Sequence, residues 1–231
     1  MRLKGLFNAR WPGVALFDLD GTLIDTAPDF IRCLNQLRQQ HGMPALPAEQ
    51  IRRSVSNGAR AMIRVGFGLE PEHEGYPEKH TAFLDLYELG VAVETSLFPG
   101  MDVLLSSLES RGIPWGIVTN KPHAMACSLM YLLATPPGCI ALLGSGAAAR
   151  AKPYPHGLRF AAEMASVPPQ SCWYVGDDLR DIQAAAAVPM VSVAAGWGYI
   201  KADEDWRHWG ADVCCTTVAE FNQLLSHAIA E

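Results

Sequence analysis

Apolar residues along this chain gather in short runs that end at turn residues. The runs Val14–Leu19, Ile113–Thr119, Cys139–Leu143, Cys172–Gly176, Met190–Val193 and Asp212–Cys215 are, apart from Asp18 and Asp212, mostly apolar at successive positions rather than at alternate ones. Strands buried on both faces, as in a parallel sheet, have this pattern. Helical stretches fall between most of them, over Met101–Arg111, His123–Leu133, Tyr154–Ala165 and Leu179–Ala187. Strand and helix in alternation predict a doubly wound α/β fold.

Residues 27–97 break the alternation. They carry helical stretches at Asp29–His41, Ala48–Ser54, Ala59–Gly66 and Glu78–Leu89, and no convincing strand. The pattern predicts a helical unit at 27–97 inserted into an α/β core made of 1–26 and 98–231. Ala124–Ala149 holds no charged residue and is long enough in principle to cross a bilayer. Pro136-Pro137-Gly138 interrupts it, so it is expected to be a helix, a turn and a short buried strand rather than a membrane span.

Composition narrows the function classes. The chain has 231 residues, 49% hydrophobic and 18% charged, which is ordinary for a globular protein with a sizeable core. Its net charge of −6 disfavours a polyphosphate partner, so nucleic acid is not expected. The six cysteines contain no C-x-x-C pair, which argues against a zinc site and makes a disulfide framework unnecessary. Free thiols and an N-terminus without a visible leader lead to the expectation of a cytoplasmic protein, monomer or homodimer.

Candidate chemistry sits where the apolar runs end. Asp18-Leu19-Asp20-Gly21-Thr22 follows the first strand directly, placing two carboxylates where open α/β sheets bind ligands. Gly21 lets the backbone turn sharply and present amides to an anion. Thr119-Asn120-Lys121 ends the next run with a hydroxyl and an amide, Lys152-Pro153 precedes a helix, and Gly176-Asp177-Asp178-Leu179-Arg180-Asp181 closes a later strand with three carboxylates. Each segment alone has a duller explanation, as a solvated turn, a helix cap or acidic first-turn residues. Their arrival in order, each at the C-terminal end of a strand, is what such explanations do not account for.

The order DLDGT, TNK, KP, GDDLRD resembles the haloacid dehalogenase superfamily of phosphatases over most of the chain, and the insertion resembles its C1 cap on a Rossmann-like core. Within that superfamily the chain is similar to the phosphoglycolate phosphatase group. DTAPDF, GARAM, TNKP, GDDLRDI and WGADV are similar to bacterial N-acetylmuramic acid 6-phosphate phosphatases of cell-wall recycling. The resemblance implies hydrolysis of a small phosphomonoester through an aspartyl-phosphate. Asp18 would be the nucleophile and Asp20 the general acid and then base. Thr119 and the Asn120 amide would hold phosphoryl oxygens, with Lys152 neutralising charge.

A metal follows from electrostatics. Like charges about 4 Å apart repel by roughly 4 kcal/mol at an effective dielectric near 20, and one lysine cannot offset Asp18, Asp20 and Asp177 converging on a phosphate. All-oxygen ligands suit Mg²⁺. By the family pattern its ligands are the Asp18 carboxylate, the Asp20 main-chain carbonyl and Asp177, with Asp181 behind them; Asp178 is left without a role. Substrate contacts are implied for Leu19, Asn120, Asn57, Gly58 and Arg60. Arg60 and Arg64, four apart on one helix face, are candidates to read a substrate carboxylate. His123 and the tryptophans Trp197, Trp206 and Trp209 are expected to be helical and packing residues. Two other functions remain open: a phosphomutase of the same superfamily, and a binding module for a phosphorylated ligand, against which Asp20 argues.

Overall fold

The computed structural model describes residues 11–133, 135, 138–201 and 203–227. Among these the strands are β1 (Val14–Phe17), β2 (Ile24–Asp25), β3 (Ser96–Leu97), β4 (Trp115–Pro122), β5 (Cys139–Ser145), β6 (Cys172–Gly176), β7 (Val191–Ala195) and β8 (Val213–Cys215). Six of them form a parallel sheet in the order β5-β4-β1-β6-β7-β8. This is the doubly wound α/β sheet that the apolar runs predict. Every residue of β1 and β6 is buried, which is why neither shows alternation.

Side-chain alternation divides the sheet between two apolar layers. Ala15 and Phe17 face one layer, with α5 (Met101–Ser110) and α9 (Val218–His227) supplying Leu104, Leu108 and Phe221. Val14 and Leu16 face the other, where α7 (His156–Met164) and α8 (Leu179–Ala186) bring Leu158, Ala161 and Ala184. Register then positions the site. Phe17 is aligned with Ile117 on one side and Val175 on the other, so Asp18 leaves the sheet flanked by the strand ends that carry Thr119 and Asp177.

Between β2 and β3 lie α1 (Ala27–Gln40), α2 (Ala48–Arg52), α3 (Gly58–Phe67) and α4 (Tyr76–Leu89). α1 and α4 pack through aromatic edges, with ring centroids of Phe30 and Phe83 5.7 Å apart and those of Phe30 and Tyr87 4.5 Å apart. The same apolar cluster runs on through Leu23, Ile24, Phe98 and Met101 into the sheet layer.

The structure corrects several boundaries. Residues 27–97 do contain a strand: Ser96–Leu97 pairs antiparallel with Ile24–Asp25 where the chain leaves the sheet and returns to it. Two residues are too few to show a period. α4 begins at Tyr76 rather than Glu78, because Pro77 fits a first helical turn that has no N–H partner to lose. α7 begins at His156 rather than Tyr154, and β4 and β5 run on to Pro122 and Ser145, past the last apolar residues. α6 (His123–Leu132) and β5 bound the uncharged stretch; Pro136 and Pro137 lie outside the described residues. Among the described residues, no helix is long and apolar enough to cross a membrane.

Candidate active site

The loop after β1 is held by its own backbone. Thr22, Leu23 and Ile24 all donate N–H bonds to the Leu19 carbonyl, and Gly21 donates to that of Ile24. Gly21 has φ +85°, and a side-chain carbon there would collide with the Asp177 carboxylate. Glycine therefore serves twice, allowing the turn and letting Asp177 come close. The Leu19 N–H donates to Asp18 Oδ1 at 2.7 Å, while the Leu19 side chain is buried in the apolar layer.

Lys152 is the cation of the site. Its Nζ lies 2.8 Å from Asp18 Oδ1, 2.7 Å from Asp181 Oδ1 and 2.8 Å from the Tyr174 hydroxyl, so all three protons have acceptors. Burial pulls its pKa down, yet Asp18 and Asp181 outweigh burial and leave it above the ordinary lysine value. Asp181 is pushed up to about 7, chiefly by burial and by Asp18, against the pull of Lys152. Asp177 goes well above the carboxylate range, first from burial and then from Asp18 and Asp181. Its Oδ1 accepts from the Thr22 hydroxyl at 2.9 Å and its Oδ2 from the Tyr199 N–H at 2.9 Å, with no ion pair among the described residues. Asp18, Asp177 and Asp181 each offer an oxygen within 4.8 Å of the others.

Asp20 belongs to a different constellation. Its carboxylate takes the Thr26 hydroxyl at 2.8 Å and Lys121 Nζ at 3.0 and 3.2 Å.

A cavity of about 380 Å³ opens between the strand ends and the inserted helices. Asp18, Asp20, Thr119, Asn120 and Lys152 line its floor; Asn57, Gly58, Arg60, His80 and Tyr87 line its other side. Two expectations meet competing demands. The Asn120 side chain uses its oxygen on the Lys152 N–H and one of its two Nδ2 protons on the Lys152 carbonyl, so it orients Lys152 and keeps one proton for a further acceptor. Arg60 and Arg64 do share a face, but both guanidinium groups are engaged by Glu70, and only Arg60 lines the cavity.

Asp178, without a role in the sequence, is the N-cap of α8. It accepts from the Arg180 N–H at 2.9 Å, while Asp181 takes the Asp178 N–H in return. Burial raises the Asp178 pKa, but the Arg180 guanidinium brings it below the ordinary carboxylate value. That guanidinium also donates to the Ser56 carbonyl at 3.1 Å, linking α8 to the inserted helices. His123 begins α6, and none of Trp197, Trp206 and Trp209 lines the cavity. Sequence pattern misses Lys121, Tyr174 and Tyr199. Only Lys121 leaves a signal: it stands two residues after Thr119, hence on the same side of an extended chain.

Carboxylates gathered around a buried lysine at the C-terminal edge of a parallel sheet mark the candidate active site of an α/β enzyme. Residues 15–195 match the haloacid dehalogenase-like hydrolase family, and the chain belongs to it. A phosphoglycolate phosphatase of Xanthomonas campestris pv. campestris is 42% identical over 207 residues, covering 88% of this chain and 92% of that one. An N-acetylmuramic acid 6-phosphate phosphatase of Pseudomonas aeruginosa is 36% identical over 231 residues, covering 100% and 98%. The crystal structure of a predicted phosphoglycolate phosphatase from Haemophilus somnus 129pt superimposes with a TM-score of 0.79 at 21% identity, over 93% of this chain and 96% of that one. The chain is an enzyme, a phosphatase of this family.

Proposed function

We propose that this phosphatase is magnesium-dependent and hydrolyses a small phosphomonoester through an aspartyl-phosphate on Asp18. One observation carries the proposal: Asp18, at the exit of the central strand, shares Lys152 with Asp181 while Asp177 joins the cluster without a cation of its own.

The donor set fits a hard divalent ion. All three donors are carboxylates, and one ammonium leaves the group with surplus negative charge. Asp18, the Asp20 main-chain carbonyl and Asp177 would hold Mg²⁺, with Asp181 keeping Lys152 in place. When bound, the ion would supply positive charge to the phosphate oxygens and relieve repulsion among the carboxylates.

The chain's own groups divide the remaining work. Both Lys152 and the Leu19 N–H are spent on Asp18 Oδ1, leaving Oδ2 to attack phosphorus. As the ester bond breaks, its electron pair passes to the leaving oxygen, which takes a proton from Asp20. Asp20 then removes a proton from the water that hydrolyses the aspartyl-phosphate. The Thr119 hydroxyl and the Lys152 ammonium stabilise charge on the phosphoryl oxygens.

In this account residues 27–97 form the cap domain over a core of 1–26 and 98–231. The cap also favours a substrate size. Cavities of about 300–1,000 Å³ hold drug-sized ligands, more than two carbons of glycolate fill. Of the two substrates named for the relatives, the volume favours the larger, N-acetylmuramic acid 6-phosphate, with phosphoglycolate the smaller candidate. Assay of free phosphate from both, with Asp18→Asn as control, is the test. The variant is expected to fold normally and lose turnover. Release within about tenfold of the parent, some 1.4 kcal/mol of barrier, would overturn the mechanism.

A further inference from the structure

Lys121 takes no part in the steps above, yet it is among the most deeply placed charges in the molecule. Its side chain is 4% exposed, and its Nζ lies 5.4 and 4.9 Å from the ring centroids of Phe30 and Tyr87. It donates to the Tyr87 hydroxyl at 3.1 Å, to Asp20 Oδ1 at 3.0 Å and to Oδ2 at 3.2 Å. Thr26 donates to Oδ1 as well, at 2.8 Å. Oδ1 thus has two partners, and Oδ2 has one longer contact.

Stability alone is a poor reason for this arrangement. A buried ion pair loses in desolvation much of what it gains in attraction, and an apolar side chain between two aromatic rings packs at least as well. What the pair provides is orientation. Asp20 must present an oxygen to the reacting centre in two separate steps, and a misplacement of about 1 Å can cost a hundredfold in rate.

We propose that Lys121 is a positioning residue for proton transfer: with Thr26 it pins Asp20 Oδ1, so that Oδ2 is the atom that gives and takes the proton. Tyr87, on α4, ties this clamp to the inserted helices, so Asp20 is aligned from the sheet and from the helices at once. The proposal rests on the acid–base role given to Asp20 above.

The test is the dependence of rate on the leaving group. Dinitrophenolate departs without a proton, whereas phenolate needs one. Lys121→Met is expected to lose about a hundredfold in kcat on phenyl phosphate but less than about threefold on dinitrophenyl phosphate, with KM little changed. Lys121→Arg should recover part of the loss on phenyl phosphate, and Tyr87→Phe should show the same selectivity on a smaller scale. If thermal unfolding shows that Lys121→Met does not fold, the other two variants carry the comparison. Equal losses on both substrates, or none, would overturn the proposal. Asp20→Asn is the reference. If its own loss does not depend on the leaving group, the role of Asp20 fails; if only the Lys121 and Tyr87 variants are flat, the positioning proposal fails alone.

Discussion

Asn120 and Lys152, 32 residues apart in the chain, close a ring of two hydrogen bonds. The Asn120 Oδ1 accepts from the Lys152 N–H at 2.9 Å, and its Nδ2 donates to the Lys152 carbonyl at 3.1 Å. The amide behaves as a peptide of a neighbouring strand would, fixing the backbone from which Lys152 reaches Asp18.

Asn120→Ala removes both bonds and leaves the Lys152 N–H and the Lys152 carbonyl without this partner, at a cost of about 1–3 kcal/mol for each polar atom left unsatisfied. The expected result is a lower midpoint of thermal unfolding and, because Lys152 is displaced, about a hundredfold lower kcat. A fall in stability with kcat untouched would mean that Lys152 is held by Asp18 and Asp181 alone.

Metal and pH should be linked. Burial raises Asp177 well above, and Asp181 to about 7 from, an ordinary value of 3.8. A raised folded value contributes stability that is complete below 3.8 and is lost as pH rises through the folded value. Metal-free protein should therefore lose stability between about pH 4 and 7, and Mg²⁺, which competes with these protons, should raise the melting temperature more at pH 8 than at pH 5.5. Thermal melts with and without Mg²⁺ across pH measure this; an equal shift at both pH values would contradict it.

Asp29 has the opposite sign. Burial raises its pKa, but the Arg32 guanidinium, the Thr95 hydroxyl and the Glu94 and Thr95 N–H groups together bring it below 3.8. Its stabilisation is present above 3.8 and is lost as pH falls through the lower folded value. Asp29→Ala, which opens the join between α1 and the return to β3, should destabilise the protein at neutral pH by about 1–3 kcal/mol for each donor left unpaired among the Thr95 hydroxyl and the Glu94 and Thr95 N–H groups. In denaturant titrations the gap between variant and parent should narrow only under acid conditions.

Arg60 and Arg64 should separate in function although they share Glu70. Arg60→Ala is expected to lower kcat/KM about tenfold on a substrate with a carboxylate and to leave phenyl phosphate nearly unchanged. Arg64→Ala should affect neither, since it does not line the cavity. Equal loss on both substrates for Arg60→Ala would assign that residue to helix packing instead.

Local pattern was enough for the frame of this protein. Val14–Phe17 is apolar at each position because both faces of β1 are buried, and Asp18 follows because the chain leaves the sheet there. The same logic marks Thr119, Lys152 and Asp177 as residues at the edge where a parallel sheet binds ligands. Partners were another matter. Lys121 meets Asp20 across 101 residues, Tyr174 meets Val118 across 56, and Tyr199 meets Asp25 across 174. Each pairing depends on strand register, or on how the inserted helices return at β3. Hydrophobic periodicity records whether a position is buried, since burial acts residue by residue along a strand or helix. Which distant polar group meets which is decided only when the layers have packed and each buried donor must find an acceptor.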